Sequence, residues 1–528
     1  MRIFNARRML LAGLMALIAT AIASGRVSAA TLTVCPSGCA FSQIEPAITA
    51  AKNGDTIVVA AGTYNGGFTI EKSVKLVGAA AGATIIKGGG PVISIGVAGA
   101  ASEPAVTIDG VTVTGGVTLG NLSPDVARGG GIYIPRAAGP STGATVTIKN
   151  SVIRDNRVAP SGAVDSVASA GGGGISNDGT LTLDHTLVTG NLVDPASGLT
   201  SEADGGGILD RAFGNLTLRD SVVTDNHAEV TPPNGQSVDS GGILNNGPRL
   251  TIDGSLISNN SAQLTTVLPN SVEPFAGTGG VHVHGDGNCA SPDEGCTVAT
   301  IRNSTITGNS VTVSNSVGDA GAAGGGIGDD GVLTLSDSVV SNNHVSASVP
   351  AGSTACACAD SAGIGTGGIE TISDTRITGN TVVATAPDGT ATVMGGGGSV
   401  GNGLSISITD SLISGNHITA TTTTGTATAI GAGFGDGAAL EMRGTTISDN
   451  TGTASGPTGI AQGGGIWIGA FGDGPLGQLT LVDSAVIRNT LSGSLGITVH
   501  GGGLFTTNPV TTKDTVIANN TPDQCFGC

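Results

Sequence analysis

Residues 324–343 read Gly-Gly-Gly-Ile-Gly-Asp-Asp-Gly-Val-Leu-Thr-Leu-Ser-Asp-Ser-Val-Val-Ser-Asn-Asn, and the last of them sets the frame for the rest of the chain. An asparagine in the same register recurs at Asn156, Asn191, Asn226, Asn260, Asn309, Asn343, Asn380, Asn416, Asn450, Asn489 and Asn520. It always stands three residues after an Ile or Val and five after a Ser or Thr. The intervals are 35, 35, 34, 49, 34, 37, 36, 34, 39 and 31 residues. Self-similarity at that period is the mark of a solenoid, in which each repeat buries its apolar face against its neighbours.

The strand pattern follows from which positions vary. The residue three before the asparagine is Ile or Val in every copy, whereas the one before that is Val152, Leu187, Thr305, Arg376 or Ala485. Neighbouring positions with opposite fates give a period of two, which is a strand. A second alternating run lies upstream (Leu181-Thr182-Leu183, Leu333-Thr334-Leu335, Leu479-Thr480-Leu481), and a third lies further upstream (Ile132-Tyr133-Ile134, Ile466-Trp467-Ile468). Three short strands per turn, joined at Gly/Asn/Asp corners that accept left-handed backbone angles, describe an all-β, right-handed parallel β-helix. Some 13–15 coils are expected, stacked about 4.8 Å apart.

The expected organisation is a signal peptide over 1–29, an N-terminal cap and first coils over 30–128, the repeat β-helix over 129–520 and a cysteine-containing tail over 521–528. Arg2, Arg7 and Arg8 precede an apolar run from Met9 to Ala23, with Val27-Ser28-Ala29 before the expected cleavage. Arg7-Arg8 leaves the Sec and twin-arginine routes both open. No later stretch is apolar for long enough to span a membrane. Ser42-Gln43-Ile44-Glu45 has capping-box spacing and predicts a short helix through Ile48 and Ala51 that covers the first rung. Between each asparagine and the next glycine cluster runs a segment rich in Ala, Ser, Thr and Val. These segments emerge at one corner as a lateral fringe of loops and hairpins, the clearest hairpin being Thr381 to Met394.

Without its signal the chain carries 17 basic and 39 acidic side chains, which excludes nucleic acid as a natural partner and disfavours polyanionic polymers. The eight cysteines pair locally as Cys35 with Cys39, Cys289 with Cys296, Cys356 with Cys358, and Cys525 with Cys528, as expected of disulfides in an exported protein.

Chemistry-bearing residues are few. The asparagine column reads as a structural ladder. His227, His344 and His417 belong to separate repeats and cannot form one site. Asp329-Asp330 has the composition of a carboxylate pair, yet equivalent corners hold Asn-Asp and Asn-Asn, so it reads as a turn. Two constellations remain. Asp337, Asp374 and Asp410 occupy one corner in successive coils, where stacked carboxylates suit Ca2+, although that corner elsewhere accepts Asn150, His185, Gly254, Asn303 and Gly444. The 49-residue interval carries His282, His284 and Asp286 ahead of Cys289, with the two histidines on one strand face.

Gly-Gly-Gly-Ile followed by Ile-x-x-Asn resembles the GGA[ILV] and FxxN repeats of polymorphic outer-membrane proteins. It is also similar, more broadly, to right-handed β-helix proteins of the pectin-lyase-like superfamily. The resemblance covers about three quarters of the chain and includes Gly54-Asp55-Thr56-Ile57-Val58-Val59-Ala60-Ala61-Gly62-Thr63-Tyr64, which is similar to the first coil of many such proteins. It implies a surface adhesin, although no barrel-like strands follow the repeats, or an enzyme, although the Asn-Thr-Asp, Gly-His-Gly and Arg-Ile-Lys motifs of polygalacturonases are absent. The expectation is an exported, monomeric or laterally associating scaffold at the cell surface or outside the cell, binding a carbohydrate or a surface protein. The alternative is a polysaccharide lyase or glycoside hydrolase.

Overall fold

The computed structural model describes residues 29–528 apart from 121, 123–125, 140–142, 161–166, 196–199, 232–234, 270–273, 286–295, 401–404, 438 and 470–476. The expected signal peptide lies almost wholly outside these residues. The chain winds as a parallel β-solenoid of five sheets rather than three. Sheets are numbered here in the order the chain visits them. Within one coil, Val332–Ser336 belongs to sheet I, Val339–Ser341 to sheet II, His344–Ser348 to sheet III, Cys356–Asp360 to sheet IV and Ile364–Thr366 to sheet V. Ile369–Ser373 then returns to sheet I. Sheet I has 15 strands, sheets II and V have 14 each, and sheets III and IV have 11 each.

Sheets I, II and V enclose the main core. Their inward positions carry the predicted columns, such as Leu181, Leu183 and Val188 or Leu333, Leu335 and Val340, all at most 1% exposed. In-register parallel stacking puts each side chain on its counterpart one coil away, for example Val152, Ile153 and Arg154 on Leu187, Val188 and Thr189. Tight corners join the strands. Asp337, Asp374 and Asp410 turn the chain from sheet I to sheet II at φ 48–49°, the place taken by Gly444 at φ 59°. Only short polar side chains or glycine accept that geometry cheaply, which explains the Asn/Asp/Gly composition.

The fringe is the main departure from expectation. Thr381–Thr385 and Thr390–Met394 do not bond to each other as a hairpin. The first pairs with His344–Ser348 and His417–Thr421, the second with Cys356–Asp360 and Thr426–Ile430. Each excursion is therefore an arch whose two arms join different sheets, III and IV. Between the arms lies a second apolar compartment of small residues, including Val382, Ala384, Ala391 and Val393. The physical reason is the alternation: Ala and Val face in, Ser and Thr face out, and two such faces close at short range.

A wall of asparagines separates the two compartments. From Asn156 to Asn520, each Nδ2 donates to the Oδ1 of the next asparagine at 2.8–3.1 Å. Each of these side chains also donates back to a carbonyl of the preceding coil, as Asn343 does to Ile306 at 3.2 Å. Both amide donors and the acceptor are thereby used inside a dry wall, where an unmet polar group would be costly. At the last rung Gln524 substitutes for a twelfth asparagine, its Oε1 accepting from Asn520 Nδ2 at 3.1 Å and from Asn520 N at 3.0 Å. The tail thus closes the ladder, and Cys525–Phe526 extends sheet V.

At the other end, Ile44–Ala50 forms the predicted helix and buries Ile44, Ala47 and Ile48 on the first rung. The capping box does not form. Gln43 is the N-cap without a side-chain cap bond, and its Oε1 instead accepts from Asn65 N at 3.2 Å. Cys35–Cys39, Cys356–Cys358 and Cys525–Cys528 are disulfides. Cys296 is also disulfide-bonded, while Cys289 lies outside the described residues.

Candidate functional site

Where sheet IV meets sheet V the two lobes leave a longitudinal notch. One wall is the outward column of sheet V, Tyr133, Ser176, Leu209, Leu244, His282, Gly328 and Gly365, fixed by strand register. Leu209 and Leu244 plug the notch on one side of His282, each 1% exposed. Ile430, Trp467 and Phe505 plug it further on, with Met394 and Ile460 packed against them. Between these plugs the column holds Gly328 and Gly365, and a cleft of about 310 Å³ opens, lined by His282, Thr278, Asp329, Asp330, Asp360 and Ser361 among others. A Cβ at Gly328 would stand 2.4 Å from Thr278 Oγ1, and one at Gly365 2.9 Å from Ser361 Cβ, so the recess depends on both glycines.

His282 sits on the strand Val281–Val283, whose valines face the core. Its Nδ1 is 3.2 Å from the Asp239 carbonyl, which fixes Nδ1 as the donor and turns Nε2 into the cleft. There Nε2 lies 3.6 Å from Asp330 Oδ2. His284, two residues on, stands edge-to-face with His282 at 5.7 Å between centroids. Burial opposes charge on His282, but the carboxylates of Asp330 and Asp239 and the Asp239 carbonyl outweigh it and raise its pKa. Asp329 opens an Asx-turn at the corner, as the sequence suggested, its carboxylate accepting from the Gly331 N–H. It ends the strand Ile327–Asp329, faces inward and is 2% exposed. Burial lifts its carboxyl to about 7, with Asp330 adding to the effect and the Gly331 N–H and His282 opposing it. Gly331 N–H donates to Asp329 Oδ1 at 3.2 Å, whereas Oδ2 is buried without a hydrogen-bond partner. Ser361 occupies a left-handed corner at φ 55° and donates to Asp360 Oδ1 at 2.6 Å, one of the few non-glycine residues to do so beside sheet V.

Further toward the N-terminus the same notch holds a second polar group. Arg128 donates to Ser169 Oγ at 2.7 Å and lies 3.9 Å from Asp204. Burial and the nearby Asp239 raise Asp204 to about 7 despite the guanidinium. Arg211 lies 3.6 Å from Asp178.

The predicted site residues divide accordingly. His282 and His284 do come together, but with Asp330 of the next coil, and Asp286 lies outside the described residues. Among the described residues, the groups of three metal-capable side chains are His282, His284 and Asp330, and Asp184, His185 and Asp220, the last two exposed. Asp337, Asp374 and Asp410 are exposed single-file corner residues that fall in neither group. His344 and His417 head neighbouring outward rungs of sheet III with Thr381 between them. Asp204, Asp329 and Asp330 were missed as site residues. The sign that would have found them is a column alignment anchored on the glycine pairs, Gly279-Gly280-Val281-His282 against Gly325-Gly326-Ile327-Gly328, which puts Gly328 beside His282 and Asp329 beside Val283.

Fold and notch define a class, the parallel β-solenoid with a lateral β-arch lobe. No protein-family profile matches the chain, and neither does any curated protein. Among solved structures it is similar to the A-module of the Azotobacter vinelandii mannuronan C-5 epimerase AlgE4, at 13% identity over 88% of this chain and 91% of that one, with a TM-score of 0.26. The corresponding A-module of AlgE6 from the same organism gives 14% identity over 91% and 94%, with a TM-score of 0.26. The PL6 family alginate lyase AlyGC gives 11% identity over 91% and 98%, with a TM-score of 0.18. Likeness at this level concerns the winding of the chain alone. No helix among the described residues is long and apolar enough to cross a membrane.

Proposed function

We propose that the protein is an exported binding scaffold, at the cell surface or outside the cell, that lays an extended neutral polysaccharide along the outer face of sheet III. The observation that carries this reading is the chemistry of that face. Seven successive strands, from Ser261–Thr266 to Thr490–Gly493, present three outward columns, the last rung being completed by Ser494. Serine and threonine fill every position except Gln263, His344, Val383 and His417. None carries a formal charge, on a chain whose formal net charge is −18. Neighbouring rungs share hydroxyl contacts, as between Ser314 and Ser348 at 2.9 Å and Thr453 and Ser492 at 3.0 Å. Such a face offers donors and acceptors every ~4.8 Å along the stack and requires no ion to be stripped of water when a neutral chain docks.

The test is co-sedimentation of the signal-free protein with insoluble cellulose and chitin, and affinity electrophoresis in alginate and pectate. Retention by a neutral polymer, lost in the double variant Thr385→Lys and Thr419→Lys, is expected. Unchanged retention by that variant, or retention by the polyanions alone, defeats the reading. The cleft supports a second reading, a polysaccharide lyase or hydrolase, because acid and base side chains gather there in a recess. New reducing ends or unsaturated products that vanish in Asp329→Asn, while the sheet III variant still produces them, would favour it over the scaffold.

A further inference from the structure

We infer that His282, His284 and Asp330 form a site for a divalent transition-metal ion of the zinc class, open toward the cleft. This goes beyond the scaffold reading and does not rest on it. Register supplies the geometry. His282 lies on the strand Val281–Val283 and His284 is the residue just past its end, and Asp330 follows Asp329, which pairs with Val283, so stacking brings Asp330 beside His284. One ligand atom from each of the three lies within 4.8 Å of the others. The 3.6 Å between His282 Nε2 and Asp330 Oδ2 is close to the roughly 3.3 Å separating ligands held about 2.0 Å from a tetrahedral zinc.

Two further observations point to a cation. The Asp239 carbonyl takes the Nδ1 proton of His282, so Nε2 presents its lone pair to a carboxylate. A proton on Nε2 or a metal ion can bridge these two atoms, and a backbone carbonyl behind the far nitrogen is the usual support of a ligating imidazole. Independently, Asp329 lines the same recess with a buried Oδ2 that has no hydrogen-bond partner. Gly367 makes room for Asp330, since a Cβ there would lie 2.8 Å from its Oδ1. Two imidazoles among three ligands select zinc-like ions over calcium, which prefers an all-oxygen shell. At the second group, Asp184, His185 and Asp220, the imidazole Nδ1 lies 2.6 Å from the carboxylate of its sequence neighbour Asp184, and His185 and Asp220 are exposed.

The experiment uses the signal-free chain, stripped with EDTA and titrated with Co2+ and then Zn2+. One equivalent of Co2+ should bind with visible d–d bands that Zn2+ bleaches and millimolar Ca2+ does not. His282→Ala, and separately Asp330→Asn at a half-exposed residue outside the core, should each weaken binding at least ~10-fold with unchanged far-UV circular dichroism. His185→Ala should leave binding intact. Absence of the Co2+ bands, their persistence in Asp330→Asn, their loss in His185→Ala, or displacement of Co2+ by Ca2+ would overturn the assignment.

Discussion

Replacing Asn343 by aspartate changes one NH2 group to an oxygen in the middle of the asparagine wall, and its cost can be worked from four hydrogen bonds. Asn343 Oδ1 accepts from Asn309 Nδ2 at 3.1 Å and from Asn309 N at 3.0 Å, and a carboxylate oxygen can keep both. Asn343 Nδ2 donates to Asn380 Oδ1 at 3.0 Å and to the Ile306 carbonyl at 3.2 Å, and an ionised carboxylate turns both into contacts between acceptors. A protonated carboxyl restores one donor, leaving a loss of about 1–3 kcal/mol. An ionised one adds an uncompensated buried charge, bringing the total to about 4–6 kcal/mol. The new carboxyl has a folded-state pKa above its unfolded value near 3.9, so destabilisation starts as pH rises past that value and saturates above the folded one. Calorimetry of parent and variant at pH 4 and pH 8 should show a penalty about 3 kcal/mol larger at pH 8. Hydrogen exchange should place the weakening in the coils on either side of residue 343. A penalty below about 1 kcal/mol, or one independent of pH, would refute the claim that the ladder runs in one direction with every donor used.

Three other outcomes follow from the packing. Asp210 is buried, with its carboxyl held well above the usual range by burial although Asn177 Nδ2 donates to it at 2.5 Å. The unfolded chain gives up that proton first, so stability should fall by up to about 1.4 kcal/mol per pH unit above pH ~4, and Asp210→Asn should flatten the decline in a Tm-against-pH series. Ala391 is fully buried between Ala357 and Ala427 in the arch lobe, and Ala391→Leu should cost about 1–3 kcal/mol by overpacking, read as faster exchange over residues 381–394. Asp55 accepts from Lys52 N at 2.8 Å and Ala30 N at 2.7 Å, which holds its pKa below the usual value. Its contribution is complete above the unfolded carboxylate value and is lost as pH falls through the folded one, so limited pepsin digestion should clip the strand Thr31–Val34 in acid, and Asp55→Ala should expose it at neutral pH.

The main lobe was legible because most inward positions of sheets I and II carry a large branched side chain against polar neighbours, as in Leu333-Thr334-Leu335. The arch lobe was not. Its strands alternate as regularly, in Thr390-Ala391-Thr392-Val393 and Thr426-Ala427-Thr428-Ala429, but the contrast between alanine and threonine is too small to separate strand from loop, and a Pro-Asp-Gly tip invites a hairpin reading. The corners were legible down to residue type, since a left-handed backbone angle admits few side chains. At the cleft the two histidines were read correctly as a pair, and the failure lay in the partner. Asp286 is two residues from His284 in sequence, whereas stacking brings in Asp330 from the following coil. The recess itself is made by side chains that are missing at Gly328 and Gly365, which no motif announces.

The second compartment has a mechanical consequence. A tube of one lobe bends equally in all transverse directions, but a tube with a fin along its length does not, because stiffness grows with the square of the distance of material from the neutral axis. The arch lobe is such a fin, tied to the tube by an unbroken seam of amides. A load applied in the plane of the fin therefore meets a deep girder, while one applied across it meets a thin plate, and the molecule flexes sideways far more readily than edgewise.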